Sequence, residues 1–543
     1  MARTRRAPSP LTTAIPPASV VPSSAAALNA GRRARELDAL SASDRPVDVL
    51  VIGGGVTGAG VALDAAARGL SVVLAESHDL AFGTSRWSSK LVHGGLRYLA
   101  TGDVGVARES AAERHLLMTR IAPHLVHPLP QVLPLVDTVT TRQRVVGGIG
   151  LGLGDGLRLL AGTPGTMLPR PRRIGRDEVL RLAPATRRHG LRGGLLSYDG
   201  QLVDDARLVI ALARTAAALG AVVLTRMRAT SVGAHGATLT DSLGGGSLRV
   251  GARVVVNATG VWASEIDDSI RLRPSRGTHL VLDAAAMGDP VAALTVPHPG
   301  SISRYVFALP QQLRRVVVGL TDEDAPGEVP DVPTPSDGEI DFLLATLSRA
   351  LERQLGRGDV LGSFAGLRPL VDSGEGSTAD LSRRHHVAVS NGGIVNVLGG
   401  KLTTYRAMAE DAVDIAVRHG ALAAGECRTR SLPLVGAPGS PVSAAAPATS
   451  TPTAALPPSL VARFGAEAPV VLASARASAP SAPVAPGIDV TRAEVEFAVL
   501  AEGALDADDV LDRRTRIGLV AADSERAHDE VAALVDEALA RVP

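Results

Sequence analysis

The chain has 543 residues, 45% hydrophobic and 20% charged, with aromatics at only 2%, so two or three compact units built on Ala, Val and Leu are expected. Its 56 basic and 55 acidic residues leave a formal net charge of +1, which gives no domain-wide basic excess for nucleic acid. A single cysteine, Cys427, excludes an internal disulfide framework, and the lack of an 18-residue apolar run or a secretory leader predicts a cytoplasmic location.

Residues 1–45 are rich in Ala, Pro, Ser and Arg and read as a disordered tail, with at most a short helix at 31–40. "PVDVLVIGGGVTGAGVALDAAARGLSVVLAES", 46–77, reads as strand, glycine turn, helix, strand. "SSKLVHGGLRYL", 88–99, fits neither element: Gly94-Gly95 would break a helix, and Lys90 and His93 do not suit a buried strand. The apolar, glycine-rich segment 145–162 reads as a loop under the core, with a membrane-grazing surface as the alternative. A second α/β block follows at 195–265. From 271 to 370 short apolar runs alternate with turns, which predicts antiparallel sheet. "GGIVNVLGGKLTTYRAMAEDAVDIAVRHG", 392–420, returns to strand, turn, helix. Residues 436–457 and 474–486 are Ala/Pro/Ser-rich linkers, and the charged sequence between and after them predicts helices.

Gly53, Gly55 and Gly58 form a G-x-G-x-x-G turn directly after a strand. The first glycine makes the turn, the second admits a pyrophosphate, and the third lets helix and strand pack closely. Helix N-terminal amides suit the phosphates. Glu76, at the end of the next strand, is placed to accept from a ribose. The turn alone does not separate NAD from FAD. "NATG", 257–260, and "LGGKLTTYR", 398–406, are further glycine-ended strands late in the chain. An extended FAD needs such distant elements, and a late helix N-terminus with Lys401 suits negative charge on a reduced flavin. FAD is therefore the expected cofactor, and no metal site is expected.

The strings "DVLVIGGGVTGAGVALDAAARGLSV", "SSKLVHGGLRYL", "VDDARLV", "VNATG", "GTHLVL", "GLRPL" and "GGKLTTYR" resemble the FAD-dependent glycerol-3-phosphate dehydrogenases. The resemblance runs from about residue 46 to 420 and resumes at "AEVEFAVLAEGALDADDVLDRRTRIG". It implies an α/β, two-domain flavoprotein with a Rossmann-like FAD-binding domain, an interleaved antiparallel-sheet substrate domain and a small helical C-terminal domain. The FAD-binding parts fall at about 46–125, 195–270 and 360–420, and the substrate domain at 126–194 and 271–359. A linker at 421–457 leads to the helical domain, 458–543, which contains its own Ala/Pro/Ser-rich linker.

The resemblance also implies site residues. Thr84, Ser85, Ser88, Ser89, Lys90, His93, Gly94 and Gly95 would join the glycine turn and Glu76 around the cofactor, with Gly260, Gly400, Lys401, Leu402 and Thr403 from the later elements. Glycerol 3-phosphate is a small dianion that needs convergent cations, and arginine's planar fork suits phosphate. Arg97, Arg368, Arg383 and Lys401 match the family's phosphate-binding residues, with Tyr98 facing the substrate; Arg384 beside Arg383 leaves that register open by one. The C2 hydroxyl proton needs an acceptor, which the resemblance puts at His279, with His93 as rival. Hydride would pass from C2 to flavin N5, and electrons onward to a membrane quinone, from a peripheral position on the inner face of the cell membrane. A homodimer is left open. Arg86, Trp87 and Leu320 depart from the family's usual residues. An oxygen-using oxidase, an amine or amino-acid oxidase of the same fold, and a non-catalytic flavin-binding protein are the alternatives.

Overall fold

The computed structural model describes residues 25–95, 103–301, 304–371, 384–443 and 455–542. The apolar run Val47–Ile52 forms the centre of a parallel sheet. Val72–Ala75 and Val222–Leu224 extend it on one side, Ser247–Asn257 and Val395–Gly399 on the other, and His385–Val389 closes that edge antiparallel. Side chains alternate between faces along a strand. Val49 and Val51 accordingly join the core under the helices Val56–Ala67, Asp205–Ala218 and Tyr405–Gly420. Leu50 and Ile52 point the other way, against the hairpin Met227–Gly233 and Gly236–Asp241. Coverage on both faces is why the central runs, residues 49–52 and Val72–Ala75, are apolar and buried throughout.

A second, ten-stranded sheet is antiparallel except where Ala293–Pro297 runs parallel to Val126–Pro134. Three of its strands, Leu91–Val92, Gly194–Leu202 and Val360–Val371, come from stretches that the sequence division gave to the FAD-binding part. That division followed the glycine-ended motifs. Pairing is instead decided by remote partners: Val360–Val371 runs the length of Leu272–Asp283, from Leu272 opposite Val371 to Leu282 opposite Val360. The chain therefore passes between the two sheets several times, and a cleft lies where it crosses.

Three further expectations are corrected. Residues 145–162 are no loop but mostly the helix Thr141–Leu160, started by a capping box between Thr140 and Gln143. Part of the expected tail is ordered. Ala26 and Leu28 are buried, the Leu28 N–H donates to the Ala501 carbonyl at 3.0 Å, and Asn29 caps a helix at Ala30–Ser41. Short Ala-rich sequence shows no periodicity, and this piece is held by a groove rather than by its own pattern. The linker is also packed at its start: Leu434 and Val435 are buried, and their N–H groups donate to the Ile121 carbonyl and to Thr215 Oγ1.

The C-terminal unit contains the helices Pro458–Phe464, Ala468–Ser474, Arg492–Ala501 and Ala521–Leu539 and a small hairpin, Pro483–Ala485 with Ile488–Thr491. It docks on the FAD-binding part through buried ion pairs. Asp79 receives Arg513 at 2.6 Å and Arg514 at 2.7 Å, while Arg207 meets Glu502 and Arg214 meets Glu467, each at 2.8 Å. Removing one partner from such a pair costs about 3–5 kcal/mol, because it strands a buried charge.

Candidate active site

The strand Val47–Ile52 delivers the chain to Gly53, at φ +107°, where a Cβ would lie 2.6 Å from the Ala258 carbonyl oxygen. Gly58 passes behind this turn, and a Cβ there would come within 1.8 Å of the Gly53 oxygen. Gly58 thus serves helix–strand packing and stands off the cavity wall, while Gly53 and Gly55 line it. Gly55 caps the helix Val56–Ala67, and Ser85 Oγ accepts the Val56 N–H at 2.8 Å. Glu76 accepts the Gly54 N–H at 2.6 Å and the His78 N–H at 2.8 Å, and burial holds its carboxyl above the ordinary range.

The described part of the stretch that fitted no element, 88–95, is held at Ser88 and at Gly94 by aspartates. Asp205 accepts from the Ser88 N–H at 2.9 Å, the Ser88 hydroxyl at 2.7 Å and the Lys90 ammonium at 3.3 Å. Asp199 accepts from the Gly94 N–H at 3.0 Å and from Arg114 at 2.6 Å. Thr84, Ser85, Ser88, Ser89 and His93 face the cavity. Lys90, Gly94 and Gly95 do not, which corrects their expected place around the cofactor. Lys90 turns inward and is 2% exposed. The space a Gly94 side chain would take is filled by the Arg114 guanidinium, and Gly95 lies against Ala107.

The antiparallel sheet supplies the opposite wall. His279 sits on Leu272–Asp283 opposite Gly319, and the imidazole lies across that glycine, where a Cβ would be 2.2 Å from its ring. Its Nε2 is 2.7 Å from Ser89 Oγ, and Phe364 stacks on it at 4.8 Å between centroids. Burial, then the charges of Lys90 and Arg368, pull its pKa down to about 3, so the ring is neutral. Arg368 on Val360–Val371 donates to Ser275 Oγ at 3.2 Å, to Asp322 at 3.1 Å and to the Thr321 carbonyl at 3.1 Å. It crosses Gly277, where a Cβ would stand 2.1 Å from Nη2. Lys401 follows Val395–Gly399 and donates to Ser110 Oγ at 2.9 Å. Gly260, Gly400, Leu402 and Thr403 complete the wall of a cavity of about 510 Å³ that spans both sheets. Arg97, Tyr98 and Arg383 lie outside the described residues.

The two departures beside the loop have structural roles. Trp87 lines the cavity and stacks on Phe364 at 5.6 Å. Arg86 is buried between the rings of Phe82 and Trp87 and pairs with Asp512 of the C-terminal unit at 3.0 Å. Arg516 donates to the Arg86 carbonyl from the same unit. Leu320 also lines the cavity.

Sequence reasoning missed Asp199, Asp205, Asp322 and Phe364, each of which acts on a residue far away in the chain. One signal was available: of 56 cationic residues only two, Lys90 and Lys401, are lysine. A chain that uses arginine almost everywhere keeps lysine at the two positions flanking this cleft.

An extended dinucleotide fits the cavity. Its walls run from the carboxylate of Glu76, past the amides of a glycine turn and helix start, to the cations Arg368 and Lys401. Comparisons with known proteins agree with this geometry. Residues 48–406 match the family described as FAD dependent oxidoreductase, and residues 427–541 match the C-terminal domain of alpha-glycerophosphate oxidase. The chain is 58% identical over 520 residues to Glycerol-3-phosphate dehydrogenase 1 of Mycobacterium tuberculosis, covering 95% of this chain and 99% of that protein. It is 38% identical over 489 residues to Glycerol-3-phosphate dehydrogenase 2 of the same organism, covering 87% and 81%. The solved structure of a glycerol-3-phosphate dehydrogenase from Bacillus halodurans, complexed with FAD, shares the fold, with a TM-score of 0.71 at 24% identity over 94% of each chain.

Proposed function

We propose that this chain, which belongs to the family of FAD-dependent glycerol-3-phosphate dehydrogenases, oxidises sn-glycerol 3-phosphate to dihydroxyacetone phosphate and delivers the electrons to a quinone at a membrane surface. The observation that carries the reading is the meeting of Arg368, Lys401 and His279 in the same cavity as the dinucleotide turn. A relative that matches nearly the full chain bears the name Glycerol-3-phosphate dehydrogenase 1, which supports the substrate and the oxidation.

The residues divide the work as follows. The amides at the start of Val56–Ala67, with Gly53 and Gly55 leaving the backbone bare, hold a pyrophosphate. Bound FAD supplies the acceptor for the hydride that leaves C2. Arg368 grips the substrate phosphate, and Asp322, Ser275 and the Thr321 carbonyl keep its guanidinium flat against the wall. Lys401 adds a second positive charge. His279, held neutral, takes the C2 hydroxyl proton at Nε2; His93, half exposed with Asp199 Oδ2 3.7 Å from its Nδ1, is the alternative acceptor.

Residues 141–192 hold eleven arginines against three acidic residues, in a chain whose total is +1. Along Thr141–Leu160, Val145, Ile149, Leu153 and Leu160 are all more than half exposed on one stripe. An apolar stripe in basic surroundings suits an anionic bilayer, where quinone resides. Among the described residues no helix is long and apolar enough to cross a membrane. The second reading is an oxidase, because the match of residues 427–541 carries that name. Glycerol 3-phosphate added without oxygen should bleach the flavin. Reoxidation by a quinone analogue supports the dehydrogenase; stoichiometric hydrogen peroxide in air with no quinone reaction supports the oxidase. A flavin that stays oxidised refutes both.

A further inference from the structure

Lys90 is a buried charge that the reaction above does not use. It is one of only two lysines in the chain, it sits in the left-handed region at φ +55°, and it is 2% exposed. An arginine surplus of this size means that charge alone does not explain a lysine here. Around it lie Asp205 at 3.3 Å, the Phe364 ring at 5.2 Å and the Ser88 carbonyl at 3.5 Å. Asp204 and Arg516, paired at 3.2 Å, form the next layer, and all four charged side chains are at most 3% exposed.

Asp205 is the link to the cavity. The carboxylate that holds Lys90 also accepts from both polar groups of Ser88. The next residue, Ser89, carries the hydroxyl that meets His279 Nε2. Phe364 lies between Lys90 and His279, with the Lys90 ammonium 5.2 Å from its ring centroid and the His279 ring stacked on it at 4.8 Å. The charged groups facing His279 are Lys90, Arg368 and Asp205. Lys90 is thus joined to His279 by a hydrogen-bonded path, by a shared ring and by its field.

We propose that Lys90 is a positioning residue for the reaction: through Asp205 it fixes the Ser88–Ser89 turn, and through that turn it holds His279 aimed into the cavity. This rests on the reading of the cavity as the FAD and substrate site. Lys90 touches neither ligand; it acts through His279.

The test uses the FAD-loaded protein with ¹⁵N-labelled histidine, the His279 signal being assigned from His279→Gln. In the wild type the His279 ring stays neutral from about pH 5 to about pH 9, as a pKa near 3 requires. Lys90→Met keeps the length and removes the charge, leaving Asp205 as the nearest ion. The proton affinity of His279 then rises at least tenfold, and its Nε2 signal moves. Lys90→Met with Asp205→Asn removes both charges of the pair, so it folds even where the single variant does not. In that double variant the field on His279 largely cancels, but the turn has lost its ionic anchor. The Nε2 signal and the visible circular dichroism of the flavin both shift, and turnover falls at least tenfold with FAD content retained. Lys90→Arg, which keeps the charge, does not restore turnover. If His279 and the flavin spectrum are unchanged in the double variant, the proposal is overturned. Failure of the wild type to bind FAD would instead overturn the reading of the site.

Discussion

Gly277→Ala separates grip from stability at the phosphate wall. The new Cβ would stand 2.1 Å from Arg368 Nη2 and 2.8 Å from Cζ, so the guanidinium has to move. What it strikes is the far end of a long side chain, not backbone, so the fold absorbs the change: melting should shift by no more than about 1 kcal/mol, within the range of ordinary single substitutions. The displaced guanidinium, however, gives up its place against Asp322 and Thr321. A hydrogen bond to a charged group is worth about 1.5–3 kcal/mol. Loss of one such bond to the substrate phosphate lowers kcat/KM for glycerol 3-phosphate by about 10- to 200-fold. Steady-state assay with a soluble dye acceptor measures it, alongside the flavin absorbance and the poor substrate glycerol, which has no phosphate to lose. An equal loss with glycerol, or a kcat/KM within about twofold of wild type, would show that Arg368 does not hold the phosphate.

Arg368→Lys should fall in the same range of about 10- to 200-fold, because an ammonium cannot reproduce the fork, and FAD content should not change. Deleting residues 25–41 should lower the melting temperature by several degrees, since the Leu28 and Asn29 contacts are lost; an unchanged melting curve would return the segment to the status of a tail. Asp79→Asn should cost about 3–5 kcal/mol in thermal or urea unfolding by leaving the buried Arg514 without its carboxylate, while Arg513 keeps Asp509. Burial alone would raise the Asp79 carboxyl, but Arg514 and Arg513 overcome it and bring the pKa to about 2. A depressed carboxyl contributes stability above its unfolded pKa and loses it as pH falls through the folded one. The docking of the C-terminal unit should therefore weaken between about pH 4 and about pH 2, read by limited proteolysis, and Asp79→Asn should reduce that acid dependence, the rest coming from Glu502.

The parts of this site that were legible in the sequence are those whose physics is local. Gly53, Gly55, Gly58 and Glu76 act within one strand–turn–helix–strand unit, so spacing alone placed them. The family strings then located Ser88, His93, His279, Arg368 and Lys401, and all five line one cavity. Lys90 carried the same motif and was misplaced, because a string cannot say which way a side chain turns. That choice is made by Asp205, 115 positions further on. Asp199 holds Gly94 across a similar separation of 105. Val360–Val371 was given to the wrong sheet for a related reason, since its partner Leu272–Asp283 lies far back in the chain. The helix Thr141–Leu160 was hidden by six glycines, each costing about 1 kcal/mol against alanine, which the capping box and surroundings offset.

The contact between Asn29 and the Leu500 carbonyl joins positions 471 residues apart. On a ribosome the first of these emerges 471 residues before the second. Between the synthesis of residue 225 and that of residue 501, residues 25–41 have the carbonyls of Ala217, Ala221 and Thr225 to bind but no partner for the Leu28 N–H. The strap can settle only after the helix Arg492–Ala501 has left the exit tunnel. An early piece of chain thus waits for one made 471 residues later.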